Sequence, residues 1–532
     1  MKTISGMILR LKNNMEERIC AFLLLSAVFC LSFFIVYHAD WVIGDDFETI
    51  QTTAIGRMEP LSRHIGQENV ANGRFYPLGH YDLNLLVFVP AGKTAAAHYV
   101  YIWLQFLLLV FLFWKLLSVT DFNSCGTTVK ASTGMKTAAL LLFVSSPGFL
   151  WVFTGVNFPE RLLMVLYAFS MLMFIRGKES RTEKEKNMCY AMAAAAALYA
   201  SYMKEPVSSC FCIFAASCLI FSENIEKKEK FFHVFLLINC IVFFVLYYFL
   251  AFRGHTSFYA AGEGGSISHV FLRAFAAEKT VLLFFALAAF RFFRVVCKKE
   301  RNSIFTDSLL FAGAGYNLTF IVLKLAAPYY FTPALLLSMP AFLREILNMR
   351  KNLRIVAMSV AGIIIISNAG AVYRHVLMTY TERTTHMPVM RTVAEHIKSG
   401  GRLYWYVPQD IPQHRLNMFV SGQRHLYNVF TDYARHIMDT GAVPGDRENF
   451  ITVSDYDEII PADSDIFFLP LYRNTDGRIM PVPEHILKNL EQAGFGMLRC
   501  DLVHVRIFLK KGSYIEKNWY LKNTGIIPGN DR

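Results

Sequence analysis

Charged side chains are scarce in this chain. Asp, Glu, Lys and Arg supply 18% of its 532 residues, against about 25% in soluble domains. With 54% of the residues hydrophobic and a mean hydropathy of +0.35, a wholly water-soluble fold is excluded. Zinc-ligand spacing is missing too. Cys20, Cys30, Cys189, Cys210, Cys212, Cys218, Cys240 and Cys297 lie in or beside apolar segments, where a thiol packs as a small hydrophobe. Cys125 falls in a loop and Cys500 stands alone in the tail. The C-terminal tail lacks a nucleophile elbow, a phosphate loop and a metal cluster, and the chain carries no internal repeat or low-complexity stretch.

What the chain does have is long apolar runs. About eleven of them reach roughly the length a helix needs to cross ~30 Å of hydrocarbon. They fall near 19–37, 98–118, 136–154, 160–176, 188–203, 206–222, 231–252, 279–297, 304–324, 327–343 and 355–372. The net charge of +12 does not point to nucleic acid, because its cations concentrate in alternate short loops. Those loops hold Arg176, Lys178 and Arg181, then Lys227-Lys228, Lys298-Lys299-Glu300-Arg301 and Arg350-Lys351. The connections near 155, 205 and 326 carry few cations, which is the positive-inside pattern. The first run follows Arg10, Lys12 and Arg18 with no convincing cleavage site, so it reads as an uncleaved signal anchor with a cytoplasmic N-terminus. An odd number of spans then puts the tail outside the cytoplasm. The expected fold class is mostly α: a polytopic transmembrane bundle over 1–372 and a small extracytoplasmic α/β domain over 373–532, in a bacterial inner membrane.

Two outer segments are long. The loop 38–97 has Phe47, Ile50, Ala54 and Met58 at helical spacing, which predicts a helix in the interface plane. The loop 253–278 contains Gly262-Glu263-Gly264-Gly265-Ser266 and is expected to be mobile. In the tail, 403–407, 465–469 and 505–509 read as strands, 483–493 as a helix and 496–509 as a hairpin.

Candidate chemistry collects on the outer side. Asp45 and Asp46 follow the first span. One of them can act as general base toward a hydroxyl, an effect typically worth ~10²–10⁴ in rate; alternatively the pair caps a helix, with Glu48 completing a capping box. Arg74 can clamp a phosphate bidentately or snorkel between aromatic belt residues. His80 and Asp82 could join Asp45 around a divalent cation, although the spacing is weak, and no other cofactor is indicated. Asn157, Pro159 and Glu160 have capping-box spacing, while Glu160 and Arg161 at a bundle mouth cost up to ~3 kcal/mol each if drawn inward. Lys204 reads as the C-terminal cation of a helix or as a group neutralising a phosphate, with Glu205 and Pro206 opening the next helix.

These motifs together resemble the GT-C superfamily of membrane glycosyltransferases, such as protein O-mannosyltransferases and the lipid A aminoarabinose transferase. The resemblance spans roughly 19–372. Asp45-Asp46 is similar to the acidic pair of the family's first outer loop. Arg74-Phe75-Tyr76-Pro77-Leu78 loosely matches a later element of that loop, and Lys204-Glu205-Pro206 looks like a Lys-Glu or Lys-Gly-Pro element at a span boundary. Ala327-Pro328-Tyr329-Tyr330-Phe331-Thr332-Pro333 is similar to a Tyr-rich late span, but lacks the usual Arg before Tyr.

The resemblance implies transfer of a sugar, with inversion, from a polyprenyl-phosphate donor to a hydroxyl of a glycan, lipid or protein. It implies Asp45 and Asp46 as catalytic residues and Arg74, Glu160, Arg161, Lys204, Glu205, Tyr329 and Tyr330 as substrate-binding residues. Membrane lipids are partners and nucleic acid is not. Two alternatives stay open. One is a transporter or flippase of lipid-linked saccharides. The other is an O-antigen-type polymerase or ligase using Arg253, His255, Glu263, His269 and Arg273 of the late loop.

Overall fold

The computed structural model describes residues 2–39, 74–83 except 80, 86, 94–253 except 121, 125–126 and 130, and 267–384 except 302, 324 and 382. Further on it describes 403–406, 450–453, 466–470, 484–497 and 505–511. The described chain is mostly helical. Its first half runs α1 (Lys2–Val36), α2 (Ala95–Val119), the short hairpin β1 (Phe122–Ser124) and β2 (Thr127–Val129), α3 (Thr133–Val144), α4 (Pro147–Thr154) and α5 (Glu160–Glu179). It continues through α6 (Glu183–Ser201), α7 (Glu205–Phe221) and α8 (Lys227–Tyr247), which ends in a π-helical turn, Tyr248–Phe252. Then come α9 (Ile267–Ala277), α10 (Thr280–Cys297), α11 (Ile304–Val322), α12 (Pro328–Asn348) and α13 (Lys351–Thr381).

Every one of the eleven apolar runs is occupied by a helix or a helix pair. Among the described residues, five helices are long and apolar enough to cross a membrane, and a sixth span results if α3 and α4, bent by 65° at their break, act as one. The chain is an integral membrane protein. Two of these five helices are little buried: the window in α1 has a mean hydropathy of 2.8 and is 6% buried, and that in α13 has 2.1 and is 11% buried. Helices α5, α7, α11 and α12 carry more polar residues and lie inside, with α5 packed on α2 and α6, and α11 packed on α7 and α12. The physical reason is environmental. A side chain surrounded by other helices need not match hydrocarbon, so inner helices tolerate the groups that lower their hydropathy.

Close approach between inner helices depends on small residues. A Cβ on Gly313 of α11 would sit 3.0 Å from the Ala334 carbonyl oxygen of α12. A Cβ on Gly148 of α4 would run into the Pro328 carbonyl at the start of α12. Pro333 and Pro340 lie within α12, where each removes a backbone donor from the helix.

The loop expected to be mobile over 253–278 is corrected in part. Residues 267–277 form α9, whose Val270 and Ala274, four apart, are buried against its neighbours α10 and α11. An apolar stripe of that spacing is a reason for a helix to dock. The glycine-rich run, with His255 and Glu263, lies outside the described residues.

At the opposite ends of α10, α11 and α12 from the short connection near 326, charge is buried but balanced. Arg291 makes two hydrogen bonds of 2.9 Å to the Asp307 carboxylate. Arg344 donates to Asp307 at 2.6 Å, to Glu345 at 2.9 Å and to the Ser303 carbonyl at 3.0 Å.

The chain divides into two compact units, with the first ending at Met378, within α13. The second unit holds a five-stranded sheet of β3 (Leu403–Tyr406), β4 (Phe450–Val453), β5 (Ile466–Pro470), β6 (Phe495–Met497) and β7 (Val505–Lys510), in the order β4-β3-β5-β7-β6. Strand β3 runs parallel to β4 and β5, whereas β7 is antiparallel to β5 and β6. Helix α14 (Glu484–Gln492) precedes β6. The three expected strands, the helix and the hairpin match these elements; β4 is an addition to them.

Asp307 is the shared anion of two buried guanidinium groups. Asp307→Ala should lower the thermal unfolding midpoint sharply, a loss of roughly 3–5 kcal/mol. Glu183→Gln, which removes the exposed partner of Lys228, should leave that midpoint unchanged.

Candidate functional site

The site is set by how α6 hands over to α7. Helix α6 ends at Ser201 and α7 begins at Glu205, with Pro206 in its first turn. Lys204 is therefore the N-cap residue of α7, and not the C-terminal cation of α6 that its sequence position suggests. The correction matters because a helix N-terminus carries partial positive charge and disfavours a cation. Other groups hold Lys204 in place. Its ammonium is paired with the Glu160 carboxylate, the two side chains being 7% and 0% exposed. It also lies over the rings of Tyr330, Phe320 and Tyr329, at 4.5, 5.4 and 5.7 Å from their centroids. Such cation–π contacts strengthen when desolvated, to about 2 kcal/mol or more.

Glu160 opens α5, where the helix dipole favours a carboxylate. Its N-cap is Pro159, which makes no side-chain cap hydrogen bond. The capping box expected from Asn157 and Glu160 is thus not formed, because the Glu160 side chain is committed to Lys204. Its second oxygen, Oε2, is buried with no hydrogen-bond partner among the described residues. Buried acceptors are almost always satisfied, so one left open in this way points to a ligand or to chemistry.

Glu205 opens α7 and takes up the loop cation. Arg74 donates to it through Nε at 2.6 Å and Nη2 at 3.1 Å, and the Phe75 amide adds a bond of 3.2 Å. The two side chains are 16% and 15% exposed, so Arg74 does not snorkel between belt aromatics. Its segment is tied down further by the Leu78 amide, which donates to the Tyr202 carbonyl at 3.0 Å, and by Phe75 packed against Tyr202 and Phe243.

Arg161 has a different task from the one expected. It is 2% exposed. It donates to the carbonyls of Val152 at 2.7 Å and Gly155 at 2.6 Å, to that of Val156, and to Gln105 Oε1 at 3.2 Å. These carbonyls sit at the C-terminal end of α4, where a cation is favoured. Gln105 in turn donates to Asp82 at 3.2 Å, and the Tyr101 hydroxyl donates to the same oxygen at 3.0 Å. Asp82 is thereby joined to Arg161 through one glutamine.

Tyr329 links this charged floor to an aromatic wall. Its ring lies 5.0 Å from Phe158 and 5.9 Å from Trp151. Trp151 stacks on His375 at 5.3 Å, and His375 Nε2 is 2.8 Å from Thr154 Oγ1. Sequence alone presents Asp82 only as a weak metal candidate and does not point to Trp151 or His375. Tyr101 and Gln105, four apart on α2, are the available signal for Asp82. Nothing local distinguishes His375, which α13 brings in from the far end of the bundle domain.

The structure therefore brings together Arg74, Glu160, Arg161, Lys204, Glu205, Tyr329 and Tyr330. Their charges, with Asp82, balance as three cations against three carboxylates. Asp45, Asp46 and His80 lie outside the described residues. No group of three metal-ligating side chains occurs among the described residues, and Asp82 is engaged by Tyr101 and Gln105.

Lys204→Met should destabilise the protein by roughly 3–5 kcal/mol, because it strands the Glu160 carboxylate. The double variant Lys204→Met with Glu160→Gln should recover most of that loss in thermal unfolding of the detergent-solubilised protein.

No family model matches the chain, and no curated protein matches it. Among solved structures, it is similar to ArnT from Cupriavidus metallidurans bound to undecaprenyl phosphate. That match has a TM-score of 0.44 and 11% identity, and covers 93% of this chain and 98% of that one. The apo state of the same protein matches with a TM-score of 0.44 at 11% identity over 92% and 97%.

Proposed function

We propose that the chain is a GT-C-type membrane glycosyltransferase that moves a sugar from a polyprenyl-phosphate donor to an acceptor hydroxyl outside the cytoplasm. The observation that supports this reading best is the paired arrangement at the heads of α5 and α7. Lys204–Glu160 and Arg74–Glu205 sit side by side, and one carboxylate oxygen is left open inside an aromatic enclosure. The donor class comes from the sequence resemblance.

In the proposed reaction the acceptor oxygen attacks the anomeric carbon as the bond from that carbon to the phosphate oxygen breaks. The bonding electrons leave with the polyprenyl phosphate. The acceptor proton passes to a carboxylate, which we assign to Asp45, with Asp46 orienting it. Lys204 and Arg74 stabilise the departing phosphate, which leaves as an anion and needs no strong acid. Glu160 and Glu205 hold those two cations in place, and the open oxygen of Glu160 accepts a substrate hydroxyl. Tyr329 and Tyr330 bound the same space. Arg161 acts as a positioning residue, fixing the end of α4. A cation held by Asp45 remains compatible with this scheme but carries no step in it.

Incubation of the purified protein with labelled polyprenyl-phosphate sugars and candidate acceptors tests the reading. Acceptor glycosylation coupled to release of polyprenyl phosphate is expected. Asp45→Asn should lower kcat by about 10²–10⁴, with Asp46→Asn measured beside it. Full transfer by a folded, inserted Asp45→Asn protein would remove the base assignment. Movement of intact donor across vesicles without cleavage would replace the enzyme by a transporter.

A further inference from the structure

A second feature lies at the other ends of the helices that carry the candidate site. Helix α5 runs from Glu160 to Glu179 and α7 from Glu205 to Phe221. At 1.5 Å per residue, twenty residues span about 30 Å, the thickness of the hydrocarbon layer. The C-terminal ends of α2, α5 and α7 and the start of α11 enclose a cavity of about 500 Å³. That size is within the ~300–1,000 Å³ typical of small-molecule sites.

Its lining is mixed in a specific way. Lys178, Lys299 and Arg301 supply three positive charges, and Glu179, Glu223 and Glu229 supply three negative ones. Between them lies an apolar floor of Val119, Phe174, Ile175, Phe221 and Phe305, with the Phe174 and Phe305 rings stacked at 5.7 Å. The charges are only partly satisfied by one another. Lys178 reaches Glu229 at 3.1 Å, but Arg301 is no closer than 3.9 Å to Glu223, and its Nε is buried with no hydrogen-bond partner among the described residues.

A simple anion entering here would meet three carboxylates, and a simple cation three basic groups. A zwitterion with a phosphate and an ammonium satisfies both sets. Basic groups pair well with phosphate oxygens, and a primary ammonium donates hydrogen bonds that carboxylates accept. The cavity lies at one end of a helix about as long as the hydrocarbon layer is thick, at the depth of lipid headgroups. Ile220, just before the lining residue Phe221, is exposed and apolar, at 66%.

We propose that this cavity binds the phosphoethanolamine headgroup of an aminophospholipid in the leaflet opposite the candidate active site. The phosphate lies against Lys299 and Arg301, and the ammonium lies against Glu223 and Glu229. The bound lipid then ties together the ends of α5 and α7, the two helices whose other ends carry Glu160, Lys204 and Glu205.

The full chain, reconstituted in nanodiscs, tests this without reference to enzymatic activity. Adding phosphatidylethanolamine to a phosphatidylcholine disc should raise the unfolding midpoint by roughly 3 °C or more. Adding phosphatidylglycerol should not. Lys299→Gln with Arg301→Gln should abolish the rise. Glu223→Gln should reduce it, and because that side chain is 76% exposed, this variant keeps its fold if the double one does not. In detergent, glycerophosphoethanolamine identifies the source. A rise with it alone assigns the site to the free headgroup, and a rise only with the lipid assigns it to the membrane. Equal stabilisation by phosphatidylglycerol, no stabilisation by either lipid, or a rise that survives all three substitutions would overturn the proposal.

Discussion

The arrangement of this bundle depends on keeping buried charge balanced. Lys204 sits where the dipole of α7 opposes it, and Glu160 and three aromatic rings hold it there. Removing either member of such a pair leaves an ion with neither water nor partner, which is far more costly than losing the attraction itself. That constraint fixes the relative positions of the heads of α5 and α7. It reaches the segment before α2 through Arg74 and Glu205. The same rule operates across the bundle, where Asp307 and Glu345 together neutralise Arg291 and Arg344.

Inner helices give up hydropathy to meet this constraint. Helices α5, α11 and α12 are interrupted by charged, hydroxyl or proline residues and are not among the helices apolar enough to mark a lone membrane span, while α7 is apolar but shorter than one. Helices α1 and α13, with little of their surface covered, have windows of mean hydropathy 2.8 and 2.1. A gradient of polarity from the periphery inward is what solvation by lipid on one side and protein on the other demands. It also accounts for the excess of apolar runs in the sequence over helices that could cross a membrane on composition alone.

The positions of the helices were legible in the sequence because a run of some twenty apolar residues matches the hydrocarbon thickness only as a helix. The strands β3, β5 and β7 were legible for a similar reason, being short runs of aromatic and branched residues bounded by polar ones. The roles of the charged residues were not. Asn157 and Glu160 have the spacing of a capping box, and only the distant Lys204 reveals why Glu160 does not complete one. Lys204 looks like the end of one helix, and Pro206 turns it into the start of the next. Arg74 had two plausible local fates, and its actual partner lies 131 residues away. Local sequence records propensity, whereas the pairing of buried ions is a long-range property of the packed bundle. The α9 helix is the converse case: beside a glycine-rich run, Val270 and Ala274 form an apolar stripe at helical spacing that docks on the bundle.

A site whose described charges sum to zero is a reasonable receptor for the proposed donor, and the reason is kinetic. A sugar–phosphate diester carries one negative charge, and the phosphate it releases gains a second as the glycosidic bond breaks. Interactions accelerate a reaction only if they are stronger in the transition state than in the ground state. Cations already held by carboxylates bind the single charge weakly. If the open oxygen of Glu160 accepts hydrogen from the substrate, the hold of Glu160 on Lys204 weakens as charge builds on the phosphate. The ammonium can then turn from its protein partner to the leaving group without entering or leaving water. Paired ions are thus, in the proposed scheme, a preorganised store of electrostatic stabilisation, loosened by the hydrogen bond that the substrate makes to Glu160.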